Sequence, residues 1–302
     1  GGGGGGAVAF ARAQQTRRSG AESWHALFVG DPGVLARPSL VERRWRPAGW
    51  PDPSPLAAEY LHRAYQLAQQ SGVGFVGLEH LTLALLDEEE PSPNAAAMKE
   101  VFAPRVDDIR NRLAGLVPAP DRVADWSGTA RLRAFAGLLT PGFDMDDVWE
   151  LIAADTANGL HEISGRPLGT LLASHNAMSL RPIVWGPPNT TGPREVPIAL
   201  QVVGGPEDGM LLTPSPGDVI GRSSESAQVA FPLYRRTVLS DRRLSRRHVK
   251  WLGEGRITLA RRSRVRRGPS ELVLQAGDYS LNAGDLLRLT RATRLRVLSR
   301  DD

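Results

Sequence analysis

The sequence has no cysteine and only two lysines, Lys99 and Lys250, among its 302 residues. Without cysteine, disulfide bonds, thiolate metal ligands and cysteine nucleophiles are all excluded. The longest apolar stretches, such as LTLALL at 81–86, are far shorter than the roughly 20 residues that cross a bilayer. No charged and apolar leader opens the chain. We therefore expect a cytoplasmic protein.

Motifs for catalysis and for cofactor binding are incomplete. GVGFVG at 72–77 has the glycine spacing of a dinucleotide loop, but a helical pattern precedes it where that loop needs a strand. We interpret it as a turn between helices. No P-loop lysine is present, and HEISG at 161–165 lacks the second histidine of a zinc-protease motif. We therefore predict a non-enzyme with no catalytic residue, cofactor or metal.

Charge is distributed unevenly along the chain. Residues 55–165 carry 8 basic and 17 acidic side chains, whereas residues 196–302 carry 19 basic and 11 acidic side chains. Two halves of opposite charge predict two domains with different partners.

Hydrophobic periodicity divides the chain into four segments. Residues 1–54 begin with six glycines and have no sustained pattern, so we expect a disordered, low-complexity segment. Residues 55–165 predict helices, because apolar residues recur three and four positions apart, and Asp144 is placed to cap one of them. Residues 166–195 are rich in proline and glycine and predict a linker between independent domains.

From residue 196 the apolar pattern changes to a period of two. Short alternating runs, the clearest being RLRV at 294–297, are separated by Gly, Pro, Asp or Ser. Several such strands in about 105 residues predict a β-sandwich over 196–299. The expected fold class is thus multidomain, an all-α domain followed by an antiparallel β-sandwich.

The stretch LSRRHVK at 244–250 is open to three interpretations. A Ser245/His248 pair suggests acyl transfer, but no third group is visible to orient the histidine. The arginines at 242–247 and 261–267 suggest nucleic-acid binding, yet no aromatic residues interleave with them to stack on bases. The third interpretation is a phosphate-binding loop, since arginine offers a fixed fork of donors and serine adds a hydrogen bond.

The helical segment resembles the N-terminal repeat domain of Clp-type AAA+ chaperones. The resemblance rests on HRAYQLAQQSGVGFVGLEHLTLALLDE at 62–88, and above all on Glu79, His80 and Leu81 at the start of a leucine-rich helix. It implies a first repeat at 55–117 and a degenerate second repeat. Since no ATPase module follows, it implies a domain that docks substrates or adaptors, with a Clp-system or other protein as its client.

The C-terminal segment resembles a forkhead-associated (FHA) domain, which binds phosphothreonine peptides. Two motifs carry the resemblance: VIGR, which ends in Gly221 and Arg222, and LSRRH, which contains Ser245 and His248. By resemblance, Arg222, Ser245 and Arg246 bind the phosphate, while Gly221 allows a close approach and His248 supports the loop.

One stretch departs from the FHA pattern. That family follows with D-x-x-S-x-N-G-T, whose asparagine holds the backbone of the bound peptide. Here the region reads LARRSRVRRGPS at 259–270, so Ser263 is retained, and Val265 or a neighbour stands where the asparagine belongs.

We therefore expect a non-enzymatic adaptor in which the FHA-like domain binds a threonine-phosphorylated protein and the Clp-N-like domain docks a second protein. Neither nucleic acid nor a membrane is an expected partner. The alternative is a protein-interaction scaffold whose degenerate FHA domain no longer depends on phosphate.

Overall fold

The protein divides into two units, 1–44 and Trp45–Asp302, and the second contains almost everything that can be described. The computed structural model describes residues 44–116, 124–172, 181–186, 196–222 and 236–302. Within these ranges helices come first and strands follow, which confirms the predicted order of α then β. No helix in these ranges is long and apolar enough to cross a membrane.

The helical part is built from short helices joined by tight turns. In the described residues the α-helices are α1 (Pro55–Ser71), α2 (Leu78–Leu86), α3 (Pro93–Phe102), α4 (Val106–Leu113), α5 (Ala130–Ala134), α6 (Met145–Ala154) and α7 (Gly159–Ser164). Single 3₁₀ turns occur at Ala103–Arg105, Phe135–Leu138 and Leu168–Leu171.

Side-chain caps and glycines fix the ends of these helices. The Ser54 hydroxyl accepts the Ala57 N–H at 3.2 Å before α1, and Gly72 ends that helix with φ +70°. Asp144 caps α6 as the sequence predicts, because its carboxylate accepts the Asp147 N–H at 3.2 Å.

One apolar core holds the helices together. Its largest fully buried members include Leu61 of α1, Leu81 of α2, Phe102 of α3 and Trp149 of α6. Trp50 is also buried in this core, so 45–54, expected within the disordered segment, belong to the helical part. Residues 1–43 of that segment lie outside the described residues.

The C-terminal part contains two sheets. Its strands are β1 (Ala199–Val203), β2 (Leu211–Leu212), β3 (Val219–Arg222), β4 (Arg236–Leu239), β5 (Val249–Gly253), β6 (Arg256–Leu259), β7 (Ser263–Arg267), β8 (Ser270–Leu274), β9 (Gly277–Ser280), β10 (Leu286–Arg288) and β11 (Arg294–Leu298). One sheet has the order β2-β1-β11-β10-β7-β8 and the other β4-β3-β5-β6-β9. The pairs are antiparallel except for β3 with β4.

The inner faces of the two sheets share a single core. Leu200, Leu287 and Leu295 from the six-stranded sheet pack in one cluster with Ile220 and Trp251 from the five-stranded sheet. Along β11 the buried leucine alternates with arginines on the opposite face, because successive side chains of a strand point to opposite sides. The six-stranded sheet therefore turns an arginine-rich face away from its core.

A buried ion network joins the helices to the sheets. Arg131 on α5 is fully buried, and its guanidinium donates to Asp155 at 2.6 Å and to Asp208, between β1 and β2, at 3.1 Å. The Arg131 main-chain N–H also donates to the Asp208 carbonyl at 3.0 Å. A buried charge of the helical part thus has a counter-ion on the sheets.

A second contact joins the same two parts. Glu162 on α7 accepts a hydrogen bond from Arg112 on α4 at 2.9 Å and forms an ion pair with Arg294 on β11 at 2.7 Å. Nearby, Leu116 packs in one apolar cluster with Ala292, which precedes β11. The sequence predicts independent domains, but both parts lie in one compact unit, because these buried groups have their partners across the junction.

The described parts of the expected linker also pack against the helices. Leu168 is fully buried in the helical core. The Trp185 indole donates to Asp155 at 2.7 Å, and the Arg131 guanidinium lies 5.1 Å from the centre of its ring. Residues 173–180 and 187–195 lie outside the described residues.

Candidate functional site

The two sequence motifs of the C-terminal part are adjacent in the structure. Arg222 ends β3, and the loop 240–248 leads from β4 into β5. The Arg222 main-chain N–H donates to the Ser245 carbonyl at 3.1 Å, and the His248 N–H donates to the Ile220 carbonyl at 3.0 Å. These two main-chain hydrogen bonds hold the loop against the end of the strand.

Gly221 makes this close approach possible. A Cβ atom built on Gly221 would lie 2.0 Å from the Arg246 carbonyl oxygen and 2.6 Å from the Ser245 carbonyl oxygen. Both neighbours are main-chain atoms, so neither can rotate aside. Any other residue at this position would push the loop away from β3.

His248 supports the loop from inside. It is 2% exposed, and its Nδ1 accepts the Ser245 N–H at 3.1 Å. Since Nδ1 is the acceptor, the ring proton is on Nε2, which lies 3.4 Å from the Ser263 hydroxyl. Burial, and then the Arg261 charge, lower the pKa of His248 to about 4. The ring is therefore neutral at physiological pH.

Asp241 anchors the start of the loop. Its buried carboxylate accepts the Arg243 N–H at 2.9 Å and the Thr293 hydroxyl at 2.7 Å, and it also accepts from Thr290. These bonds connect the loop to the turn between β10 and β11. Asp241 belongs to neither of the two sequence motifs. An aspartate at the start of a loop nevertheless commonly accepts main-chain N–H groups.

The side chains at this site combine positive charge with a hydroxyl group. Arg222 and Ser245 are half-buried and Arg246 is exposed. Both hydrogen bonds that hold Ser245 use its main chain. Arg242, Arg243 and Arg247 are exposed on the same loop. Guanidinium forks and a hydroxyl are donors that bind the oxygens of a phosphate group.

The region that departs from the FHA pattern forms β7. Ser263 is retained, and its hydroxyl donates to the Arg261 carbonyl at 3.2 Å while contacting His248. Val265 is 1% exposed and lies in the core between the sheets. It therefore presents no polar side-chain group at the surface.

The other motifs have structural roles in the helical part. GVGFVG forms the turn between α1 and α2, as predicted, and the Gly77 N–H donates to His80 Nδ1 at 3.0 Å. His80 therefore caps the start of α2 through Nδ1. Within the described ranges, no group of three His, Asp or Glu side chains could hold a metal ion.

Comparison with known proteins gives no relative for this chain. No protein-family model matches it, and no curated protein and no solved structure matches it either.

Proposed function

We propose that the protein is a non-enzymatic adaptor whose C-terminal part binds phosphothreonine peptides as an FHA-like domain. The observation that carries the proposal is the contact at Gly221, where the end of β3 and the loop 240–248 meet with no room for a Cβ atom. Two motifs that lie more than twenty residues apart in the chain thereby contribute to one surface.

Each group at this surface has a role in holding the phosphate. The Arg222 guanidinium donates to two phosphate oxygens, and the Ser245 hydroxyl donates to a third oxygen. Arg246 supplies further positive charge from the exposed side of the loop. Gly221 and His248 do not contact the peptide; they fix the main chain that carries Arg222 and Ser245.

The helical part, in this proposal, is a Clp-N-like domain that docks a second protein. An apolar hollow of about 510 Å³ supports this role, and its lining includes Leu67 of α1, Leu83 and Leu86 of α2, and Leu113 of α4. A concave apolar surface of this size is typical of sites that accept a ligand or the apolar side chains of a partner. The client would be a Clp-system component or another protein.

One observation favours the alternative, a scaffold that binds partners without phosphate. Val265 is buried where the FHA family has its peptide-binding asparagine, so the contact to the peptide backbone is missing. Loss of that contact predicts weaker selection of the residues that flank the phosphothreonine. It leaves the charge and the hydroxyl of the loop in place.

Titration of a phosphothreonine peptide against variants of the intact chain tests the proposal. Arg222→Lys replaces the two-pronged guanidinium donor by a single ammonium group, and Ser245→Ala removes the hydroxyl group. Each should weaken binding by about ten- to a hundredfold, the equivalent of one charge-assisted hydrogen bond. Arg256→Lys is the matched control, because this exposed arginine lies at the far end of the β5–β6 hairpin. Unchanged affinity of both loop variants would contradict the proposal.

A further inference from the structure

A second cavity lies at the junction of the helices and the sheets. Its volume is about 370 Å³, and it opens between α7 and the arginine-rich outer face of the six-stranded sheet. His161 and Arg166 line it from the helical side, and Arg266, Leu286 and Arg296 line it from the sheet. Neither Arg222 nor Ser245 is among the residues that line this cavity.

Strand register places the two sheet arginines in one row. Arg266 on β7 is directly opposite Leu286 on β10, and Leu286 is directly opposite Arg296 on β11. Opposed residues of neighbouring strands point to the same face. Two strand spacings separate the Cα atoms of the arginines by roughly 10 Å. Two long side chains at this separation can converge on one ligand above Leu286.

Positive charge exceeds negative charge on this face. The next row across the same strands contains Arg264, Arg288 and Arg294. Four acidic groups lie near this face: Glu271, Glu162, which also lines the cavity, and Asp155 and Asp302, whose charges act on Arg296. Glu271 pairs with Arg288 at 2.9 Å and with Arg264 at 3.3 Å, while Glu162 is divided between Arg112 and Arg294.

The arginines of the cavity are left without full partners. The Nε atoms of Arg266 and Arg296 are buried, and each has no hydrogen-bond partner among the described residues. Arg266 approaches Glu271 only to 4.0 Å. Burial of a donor without an acceptor costs free energy. An anion in the cavity would supply the missing acceptors.

We propose that this cavity binds the phosphoryl group of a small anionic molecule. Arg266 and Arg296 hold the oxygens from the sheet, and Arg166, which is exposed, holds them at the mouth of the cavity. Three guanidinium groups match the three terminal oxygens of a phosphoryl group better than the two oxygens of a carboxylate. A volume of about 370 Å³ is in the range of small-molecule sites.

Calorimetric titration of the intact chain with inorganic pyrophosphate tests this site. Arg266→Gln and Arg296→Gln each replace one guanidinium group by an amide, and each should weaken pyrophosphate binding by about ten- to a hundredfold. Arg264→Gln is the matched control: it removes the same charge from the same strand and face, but Arg264 does not line the cavity. The Arg266 side chain is 42% exposed, so we expect Arg266→Gln to fold. This variant therefore tests the proposal even if Arg296→Gln does not fold.

Comparison with the loop 240–248 separates the two proposals. Arg222→Lys should leave pyrophosphate binding to the cavity unchanged, and Arg266→Gln should leave phosphothreonine-peptide binding unchanged. The cavity proposal is overturned by any of three results: no saturable binding at millimolar pyrophosphate, an equal loss of affinity in Arg264→Gln, or binding of malonate as tight as that of pyrophosphate. None of these results bears on the peptide site.

Discussion

Gly221→Ala is the substitution whose effect follows most directly from the structure. The new methyl group would lie 2.0 Å from the Arg246 carbonyl oxygen, 2.4 Å from its carbonyl carbon and 2.6 Å from the Ser245 carbonyl oxygen. The loop must therefore move away from β3. Crowding of this kind costs about 1–3 kcal/mol, and loss of the hydrogen bond between Arg222 and Ser245 adds about 0.5–1.5 kcal/mol.

Together these effects predict that the free energy of unfolding falls by roughly 1.5–4.5 kcal/mol. Urea unfolding followed by tryptophan fluorescence measures this change, since Trp251 is buried in the same sheet. Gly137→Ala is the control, because nothing lies within 4 Å of its Cβ position, and it should change stability by at most about 0.5 kcal/mol. If Gly221→Ala retains both the stability and the phosphothreonine-peptide affinity of the unmodified chain, the argument from close approach is refuted.

Two further predictions concern buried charges. Arg131→Met leaves Asp155 and Asp208 without their counter-ion, so it should lower the free energy of unfolding in urea by about 3–5 kcal/mol. The control Arg133→Met replaces a side chain that is 41% exposed, and it should lower that free energy far less. His248 takes up a proton near pH 6.5 when unfolded but near pH 4 when folded, so its contribution to stability falls as pH drops through this window. His248→Asn should make the melting temperature less pH-dependent between pH 6.5 and 4; an identical profile would contradict this assignment.

The helices and most strands could be predicted because local patterns determine them. The cap at Asp144 is a short-range feature, and the structure has it where the sequence predicts it. Strand β7 does not stand out in the sequence, because SRVRR has the composition of a solvated run of charge. Its alternation of Ser263 and Val265 inward with arginines outward becomes clear only when the neighbouring strands are known.

The junction between the two parts could not be predicted at all. Arg131 and Asp208 are distant in sequence, and nothing near either residue indicates that it will be buried. The same holds for the row formed by Arg266 and Arg296, which depends on the register of three strands. At the loop, by contrast, the FHA resemblance predicts Gly221, Arg222, Ser245 and His248 as site residues, and the structure places these four residues next to one another. Asp241 was missed, since its partners lie about fifty residues away.

The most direct test of the central claim compares one peptide library in two forms. The intact chain is titrated with peptides that carry a central phosphothreonine, and with the same peptides after phosphatase treatment. A phosphate held by Arg222 and Ser245 predicts that dephosphorylation weakens binding by at least about a hundredfold, since two charge-assisted hydrogen bonds are lost together. Equal affinity for both forms would contradict the account and would favour a scaffold that does not depend on phosphate.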